Sequence, residues 1–155
     1  VRKILEVNKI SLDESLSFNS KKKVGDELIK PTKIYIDYIL PLIKKKMIKS
    51  IAHITGGGLT ENIPRILGKS FGAKIDLDKL IIPKVFKWLL TESKITEQEA
   101  LKTFNCGTGM ILIVKKDNVN EVQSILKQYN EVSSVIGEIT SEPGIEYTGS
   151  LNIDK

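Results

Sequence analysis

The chain has 155 residues, of which 41% are hydrophobic, and this composition is sufficient for the core of one ordinary domain. No signal peptide is visible in it, and no apolar run approaches the ~20 residues that a membrane span needs, so we expect a cytoplasmic protein without a membrane partner. The formal net charge of +5 is compatible with nucleic-acid binding. However, the lysine clusters at 21–23 and 44–46 lack interleaved aromatic residues, which favours solvated loops and no nucleic-acid partner.

Cysteine and histidine each occur once, as Cys106 and His53. A single cysteine excludes an internal disulfide and suits a reducing compartment. One thiol and one imidazole cannot build a structural zinc site, and the scattered carboxylates do not resemble a clustered magnesium site. We therefore expect no metal site on this chain. Cys106 has no base partner in the sequence, which argues against a nucleophile.

The first residues, VRKILEV, predict a helix that has already begun before Val1. Since the chain also lacks an initiator methionine, we expect it to be a fragment of a longer polypeptide, with trimming of a purified protein as the alternative. Residues 10–23 are polar and lysine-terminated, which predicts an exposed loop. Residues 25–32 (GDELIKPT) predict a turn-like connector.

The next element is predicted to be a helix that begins near Thr32, because Pro31 disfavours helical backbone at the residue before it. Pro41 lies inside the pattern and implies a kink or an early end. Lys44–Lys46 would lie in the last turn, at the negative end of the helix dipole. Apolar residues recur on one face of this helix at Ile34, Tyr35, Tyr38, Ile39 and Leu42.

Residues 51–67 (IAHITGGGLTENIPRIL) contain the strongest local signal in the chain. An apolar strand breaks into the glycines Gly56–Gly58, and a short helix follows with Pro64 tolerable in its first turn. This order leaves backbone N–H groups free to hold an anion, most often a phosphate. The segment is neither a Walker motif nor a dinucleotide fingerprint. The alternative is that the glycines only allow the backbone to form the turn and that the turn binds no ligand.

Several side chains around this turn could add polar groups to an anion site. Thr55 and Thr60 carry hydroxyl groups, Asn62 carries an amide, and Arg65 carries a guanidinium whose default role is a surface salt bridge. His53 stands two residues before Thr55 at the end of the strand. That position makes it a candidate functional residue, although a packed or capping histidine is the alternative.

The second half of the chain alternates further strands and helices. Residues 73–77 predict a strand, and Pro83 is placed to begin a helix to about Thr91, with Trp88 at its edge. Thr96 and Glu99 have the spacing of a capping box for a helix that ends near Phe104. The remaining segments are a glycine-containing turn at 105–109, a strand at 110–114, a helix at 119–129, and strands at 134–140 and 145–148. Together these elements predict an α+β fold, one unit over 1–155, with a mixed, mainly antiparallel sheet that carries helices.

Five segments, in the same order, resemble signature stretches of phosphoribosylformylglycinamidine cyclo-ligases, also called aminoimidazole ribonucleotide synthetases. They are LIKPTKIY, HITGGGLTENIPRIL, IIPKVFKWL, FNCGTGMIL and VIGEI. The resemblance spans nearly the whole chain but corresponds only to the C-terminal half of that enzyme.

This resemblance implies an α/β/α-layered domain of a purine-biosynthesis ligase. Such enzymes use ATP to activate the formyl amide oxygen of formylglycinamidine ribonucleotide, and an amidine nitrogen then closes the imidazole ring. In the family, the N-terminal half binds most of the ATP and magnesium and forms the homodimer. That half is absent from this chain, so we expect neither cofactor on the chain alone and no turnover from it.

The resemblance also implies which residues face the substrate. His53, Thr55, Gly56, Gly57, Gly58 and Asn62 correspond to structure lining the substrate side of the cleft, with Pro31, Thr32, Asn105 and Gly107 as second-rank candidates. The residues that activate the substrate stay unknown. Two departures weaken nearby assignments: Lys33 stands where the family has arginine, and Thr108 stands where a small apolar residue is common.

Two other classes of function are compatible with the sequence. One is a relative with the same two-domain plan, such as a formylglycinamide ribonucleotide amidotransferase, a thiamine-phosphate kinase or a selenophosphate synthetase. The other is a basic non-enzymatic module that binds RNA or acidic partners, for which steeply salt-dependent binding would be the sign.

Overall fold

The computed structural model describes residues 1–153. Its α-helices are α1 (Arg2–Val7), α2 (Val24–Leu28), α3 (Ile36–Lys44), α4 (Gly58–Asn62), α5 (Pro64–Leu67), α6 (Lys84–Ser93), α7 (Glu97–Thr103) and α8 (Val119–Gln128). Its strands are β1 (Ser15–Leu16), β2 (Asn19–Lys23), β3 (Ile48–His53), β4 (Gly72–Asp76), β5 (Met110–Val114), β6 (Gly137–Thr140) and β7 (Gly144–Thr148).

The strands form three small sheets. β1 and β2 make an antiparallel hairpin, and β3 pairs antiparallel with β5. In the third sheet, β4 is central, antiparallel to β6 and parallel to β7. The sheets are therefore mixed and mainly antiparallel, which confirms the predicted α+β fold.

The β3–β5 pair lies between two helical layers, because successive side chains of a strand point to opposite faces. Ala52 and Ile111 face each other in the register and pack into a cluster with residues of α4, α5 and α7. Ile51 and Leu112 also face each other, but they pack on the other side with α3 and α8. This arrangement is the expected α/β/α layering.

The prediction of an exposed loop over residues 10–23 is wrong, and so is that of a turn-like connector over 25–32. The first segment contains the β1–β2 hairpin and the second contains most of α2. Leu16 is only 2% exposed and packs with Val24 and with Trp88 of α6. Trp88 is 8% exposed, so it is a core residue rather than an edge residue. These short elements are stabilised by contacts with α6, about 70 residues away along the chain.

Helix α3 begins later than predicted. It begins at Ile36, and Ile34 is 76% exposed, so Ile34 does not belong to the buried face. Pro41 does not end the helix, which continues to Lys44. The carbonyl that Pro41 leaves without a donor belongs to Asp37, which is exposed and can bond to water.

The elements of the second half agree closely with the sequence. Helix α6 follows Pro83, α7 is capped by Thr96, whose Oγ1 accepts from Glu99 N at 3.2 Å, and β5 has the predicted bounds. Strand β6 begins at Gly137, three residues later than predicted. None of the helices within residues 1–153 combines the length and apolar character that a bilayer crossing requires.

Candidate functional site

Two glycine-containing turns meet at one end of the β3–β5 pair. His53, the last residue of β3, is opposite Met110, the first residue of β5. Just beyond the strands, Ile54 N donates to Gly109 O at 2.9 Å. The first turn, residues 55–58, and the second turn, residues 105–109, therefore lie side by side although about 50 residues separate them in the sequence.

Asn105 ties the second turn to the first. Its Nδ2 donates to Ile54 O at 3.4 Å, and its Oδ1 accepts from Gly107 N at 3.0 Å. Both Asn105 and Gly107, which were second-rank candidates, are thus next to the first turn. Their observed hydrogen bonds shape the backbone of the site.

Asn62 has a comparable role beneath the first turn. It is buried, and its Nδ2 donates to Gly56 O at 3.2 Å and to Gly58 O at 2.7 Å. Its Oδ1 accepts from Arg65 NH1 at 3.1 Å. Because the amide is fully engaged, Asn62 supports the conformation of the turn rather than offering a free donor to a ligand.

The first turn retains backbone donors. Gly58 N donates to Thr55 O, and Glu61 N donates to Gly57 O. Within residues 1–153, the N–H groups of Gly56 and Gly57 donate to no backbone acceptor. Gly56 is exposed, and a Cβ added there would have no atom within 4 Å. Consecutive free N–H groups on an open surface can hold an anion.

The carboxylate of Glu61 lies close to Gly57. A Cβ built on Gly57 would lie 2.5 Å from Glu61 Oε2, and Arg65 NH2 is 3.8 Å from the same oxygen. Both side chains are more than half exposed, so the pair contributes little and can rearrange. The negative charge of Glu61 would oppose an anion near Gly57, and movement of Glu61 would release Arg65 NH2 from this ion pair.

The two threonines near the turn are placed differently. Thr60 Oγ1 is 3.0 Å from Tyr147 Oη and donates to Leu101 O at 3.3 Å, so it joins α4 to β7 and α7. Thr55 is exposed on the turn itself. Of these hydroxyl groups, only that of Thr55 is placed to reach a ligand at the turn.

His53 is exposed, and its ring packs edge-on against Tyr35, with 5.7 Å between the ring centroids. The apolar pattern predicted that Tyr35 lies on the buried face of a helix. In the structure it lies just before α3, and its ring contacts His53. The sequence feature that could have indicated a role for Tyr35 at the site is its position at the end of LIKPTKIY, one of the segments that carry the resemblance.

Pro31 and Thr32 lie in the exposed loop between α2 and α3, and this loop reaches the site through Tyr35. Lys33 Nζ pairs with Glu131 Oε1 at 2.5 Å, just beyond the end of α8. The structure thus brings together the candidates on the two turns, and Pro31 and Thr32 lie on the loop that leads to Tyr35.

Cys106 is completely buried within the second turn. Burial, with a smaller contribution from Glu97, raises the pKa of the thiol to about 11. The thiolate is the nucleophilic form, and this environment disfavours it. Among the described residues, no group of three or more histidine, cysteine and acidic side chains is arranged to hold a metal ion.

The sequence and the fold of this chain are similar to those of known proteins. A family model described as AIR synthase related protein, C-terminal domain, matches residues 1–150. Among solved structures, the thiamine-monophosphate kinase from Stenotrophomonas maltophilia K279a is similar, with a TM-score of 0.68 and 15% sequence identity. The similarity covers 97% of this chain and 46% of the kinase, so the chain spans just under half of that protein. At this identity the likeness shows a shared fold alone.

Proposed function

Because the chain belongs to the AIR synthase related family, as its C-terminal domain, we propose that it is the substrate-binding half of a phosphoribosylformylglycinamidine cyclo-ligase. The complete enzyme would close the imidazole ring of aminoimidazole ribonucleotide in purine biosynthesis, in the cytoplasm. The five ordered segment resemblances support this specific activity over others in the family.

The observation that carries the proposal is the pairing of the two glycine turns beside exposed His53 and Thr55. The free N–H groups of Gly56 and Gly57 are the proposed contacts for the phosphate of formylglycinamidine ribonucleotide. Helix α4 has only five residues, and a helix dipole contributes about 0.3–1 kcal/mol at an exposed site. Binding would therefore depend on direct hydrogen bonds from the turn and on Arg65 once Glu61 has moved.

The chemical task of such a ligase is mainly positioning. An amide oxygen is a poor leaving group until ATP phosphorylates it, and the two ends of one substrate must then meet in ring-closing geometry. An anchored phosphate fixes one end of the substrate against this chain. His53 and Thr55 would then orient the ribose side, while the residues that activate the amide stay unassigned.

ATP and magnesium would be bound mainly by the N-terminal half of the same protein, which would also form the homodimer. The donors at the first turn suit a phosphate, whereas the described residues offer no carboxylate cluster for magnesium. When bound, the nucleotide would supply the phosphoryl group that activates the amide. We expect no ring closure from this chain alone, and ATP-dependent product formation by the purified chain would contradict that expectation.

Gly56→Ala in the complete two-domain enzyme tests the site. The added methyl group meets no atom within 4 Å, so the fold should tolerate it while close approach of a phosphate is blocked. We expect the KM for the ribonucleotide to rise at least tenfold, with an unchanged melting temperature. Gly57→Val should also weaken binding, but the φ of +91° at Gly57 adds backbone strain and makes that variant harder to interpret.

The matched control is Ser141→Ala, which changes an exposed residue between β6 and β7 and should leave the KM unaltered. If Gly56→Ala kept the wild-type KM for the ribonucleotide, the phosphate would not bind at this turn.

A kinase-type relative is the second candidate, since the thiamine-monophosphate kinase shares the fold over nearly the whole chain. Parallel assays of the complete protein separate the two activities. ATP-dependent loss of formylglycinamidine ribonucleotide supports the ligase, whereas phosphorylation of thiamine monophosphate with no ring closure supports the kinase.

A further inference from the structure

Helix α3 exposes apolar side chains on the side that faces away from the core. Its buried side packs with α8 and the β3–β5 pair through Tyr38, Ile39 and Leu42. On the outer side, Ile36 is 56% exposed, Leu40 is 39% exposed and Ile43 is 46% exposed. These three residues are spaced i, i+4 and i+7, so they form one continuous row along the helix. An exposed apolar row of this kind indicates a surface that a partner covers.

Two charged residues lie beside this row. Asp37 follows Ile36 in the first turn of the helix, and Lys44 follows Ile43 in the last turn. Because they are seven residues apart, or about two turns, both lie on the same flank of the row. Both are exposed, and neither takes part in an ion pair within residues 1–153. Opposite charges at the two ends of one flank restrict which partner surface fits against it.

The outer face of α3 is complementary to a second copy of itself. When two identical helices pack antiparallel about a two-fold axis, the same flank of each helix meets, and the first turn of one lies against the last turn of the other. With the axis at Leu40, Asp37 of each copy is opposite Lys44 of the other. Ile36 is then opposite Ile43 of the other copy, and the two Leu40 side chains meet at the axis.

The charges distinguish this arrangement from a parallel one. Antiparallel packing gives two symmetric ion pairs between Asp37 and Lys44. Parallel packing would place each of these residues level with its own counterpart, so that like charges face each other. The apolar row therefore indicates that a partner covers the helix, and the charges identify the partner as an antiparallel second copy.

We propose that α3 is a self-association surface through which two copies of this chain pair antiparallel about a two-fold axis at Leu40. The helix has only nine residues, and stable complexes bury about 1,200–2,000 Å², so the association should be weak and reversible. The contact is independent of the proposed ligase activity. It is also additional to the homodimer proposed for the N-terminal half, because all of its residues belong to α3.

Sedimentation equilibrium of the chain, at about 10 µM to 1 mM, measures the association. We expect the mean mass to rise with concentration from that of one chain toward that of two. Leu40→Asp places two carboxylates together at the axis and should abolish the rise. Val7→Asp, which makes a comparable change at an exposed apolar residue of α1, should not alter it.

Two outcomes of this measurement would overturn the proposal. One is a wild-type chain that stays monomeric over the whole range, as expected if the outer face of α3 covers a different part of the complete protein. The other is association of Leu40→Asp that equals that of the wild type.

Charge reversal tests the antiparallel arrangement. Asp37→Lys and Lys44→Asp each replace both ion pairs with like charges, so each should raise the Kd of the dimer about tenfold. An equimolar mixture of the two variants restores opposite charges at both contacts and should associate about as tightly as the wild type. Asp26→Lys is the matched control, because it makes the same change at an exposed residue in the first turn of α2, and it should leave the Kd unaltered.

Circular dichroism checks the fold of each variant, and the Leu40→Asp comparison decides the matter if a charge variant does not fold. A mixture that associates no more tightly than either charge variant alone would overturn the antiparallel pairing. Association of Asp37→Lys as tight as that of the wild type would overturn it as well.

Discussion

Gly58→Ala perturbs the contact between the first glycine turn and helix α7. Gly58 is buried at the start of α4, with a φ of +54°, a conformation that side chains disfavour. A Cβ at this position would lie 2.7 Å from Phe104 O and still closer to Leu101 O. Both neighbours are backbone atoms at the end of α7, so they cannot move aside as a flexible side chain would.

The cost of Gly58→Ala is the sum of two effects. A residue other than glycine in the left-handed region costs about 1–2 kcal/mol. Overpacking against fixed neighbours costs about 1–3 kcal/mol more. We therefore expect a loss of about 2–5 kcal/mol in the free energy of unfolding, which corresponds to a fall of roughly 5–15 °C in melting temperature for a domain of this size.

Urea unfolding followed by circular dichroism measures this loss, with Gly56→Ala as the matched control. The control adds the same methyl group two residues away, where no atom lies within 4 Å, and should change stability by less than about 0.5 kcal/mol. If the two variants had equal stability, the close packing of α4 on α7 would not be what requires glycine at Gly58.

Three further outcomes concern the same turns. Asn62→Ala should destabilise the fold by about 2–3 kcal/mol, because it removes the side-chain amide that bonds the carbonyls of Gly56 and Gly58; a loss no larger than that of Arg65→Ala in urea unfolding would contradict this role. Cys106 should resist iodoacetamide at pH 8 in the native state and react on unfolding, and rapid native alkylation monitored by mass spectrometry would contradict its burial. Since folding raises the pKa of this thiol from 9.0 to about 11, the unfolded state loses the proton first and stability should fall between pH 9 and 11. Cys106→Ala should flatten that slope in urea unfolding measured across this pH range.

Local signals in the sequence determined the elements that are long or that carry their own caps. The apolar periodicity of α8, the capping threonine of α7 and Pro83 before α6 each act within a few residues, so these elements can be predicted without knowing their neighbours. The continuous apolar run of β5 likewise gave its exact bounds. The glycine triplet identified the turn, and the ordered resemblances agree with the AIR synthase related family, which is the broader assignment that the family model shows.

Tertiary contacts decided the elements and roles that depend on distant residues. Strands β1 and β2 and helix α2 are too short to be stable alone, and they form because Leu16 and Val24 pack on Trp88. The antiparallel pairing of β3 with β5 joined the two glycine turns, a contact between residues about 50 positions apart. Only that assembled structure shows Asn62 bonded beneath the turn and Glu61 close to Gly57, because hydrogen bonds and burial depend on side-chain positions in space rather than on residue type.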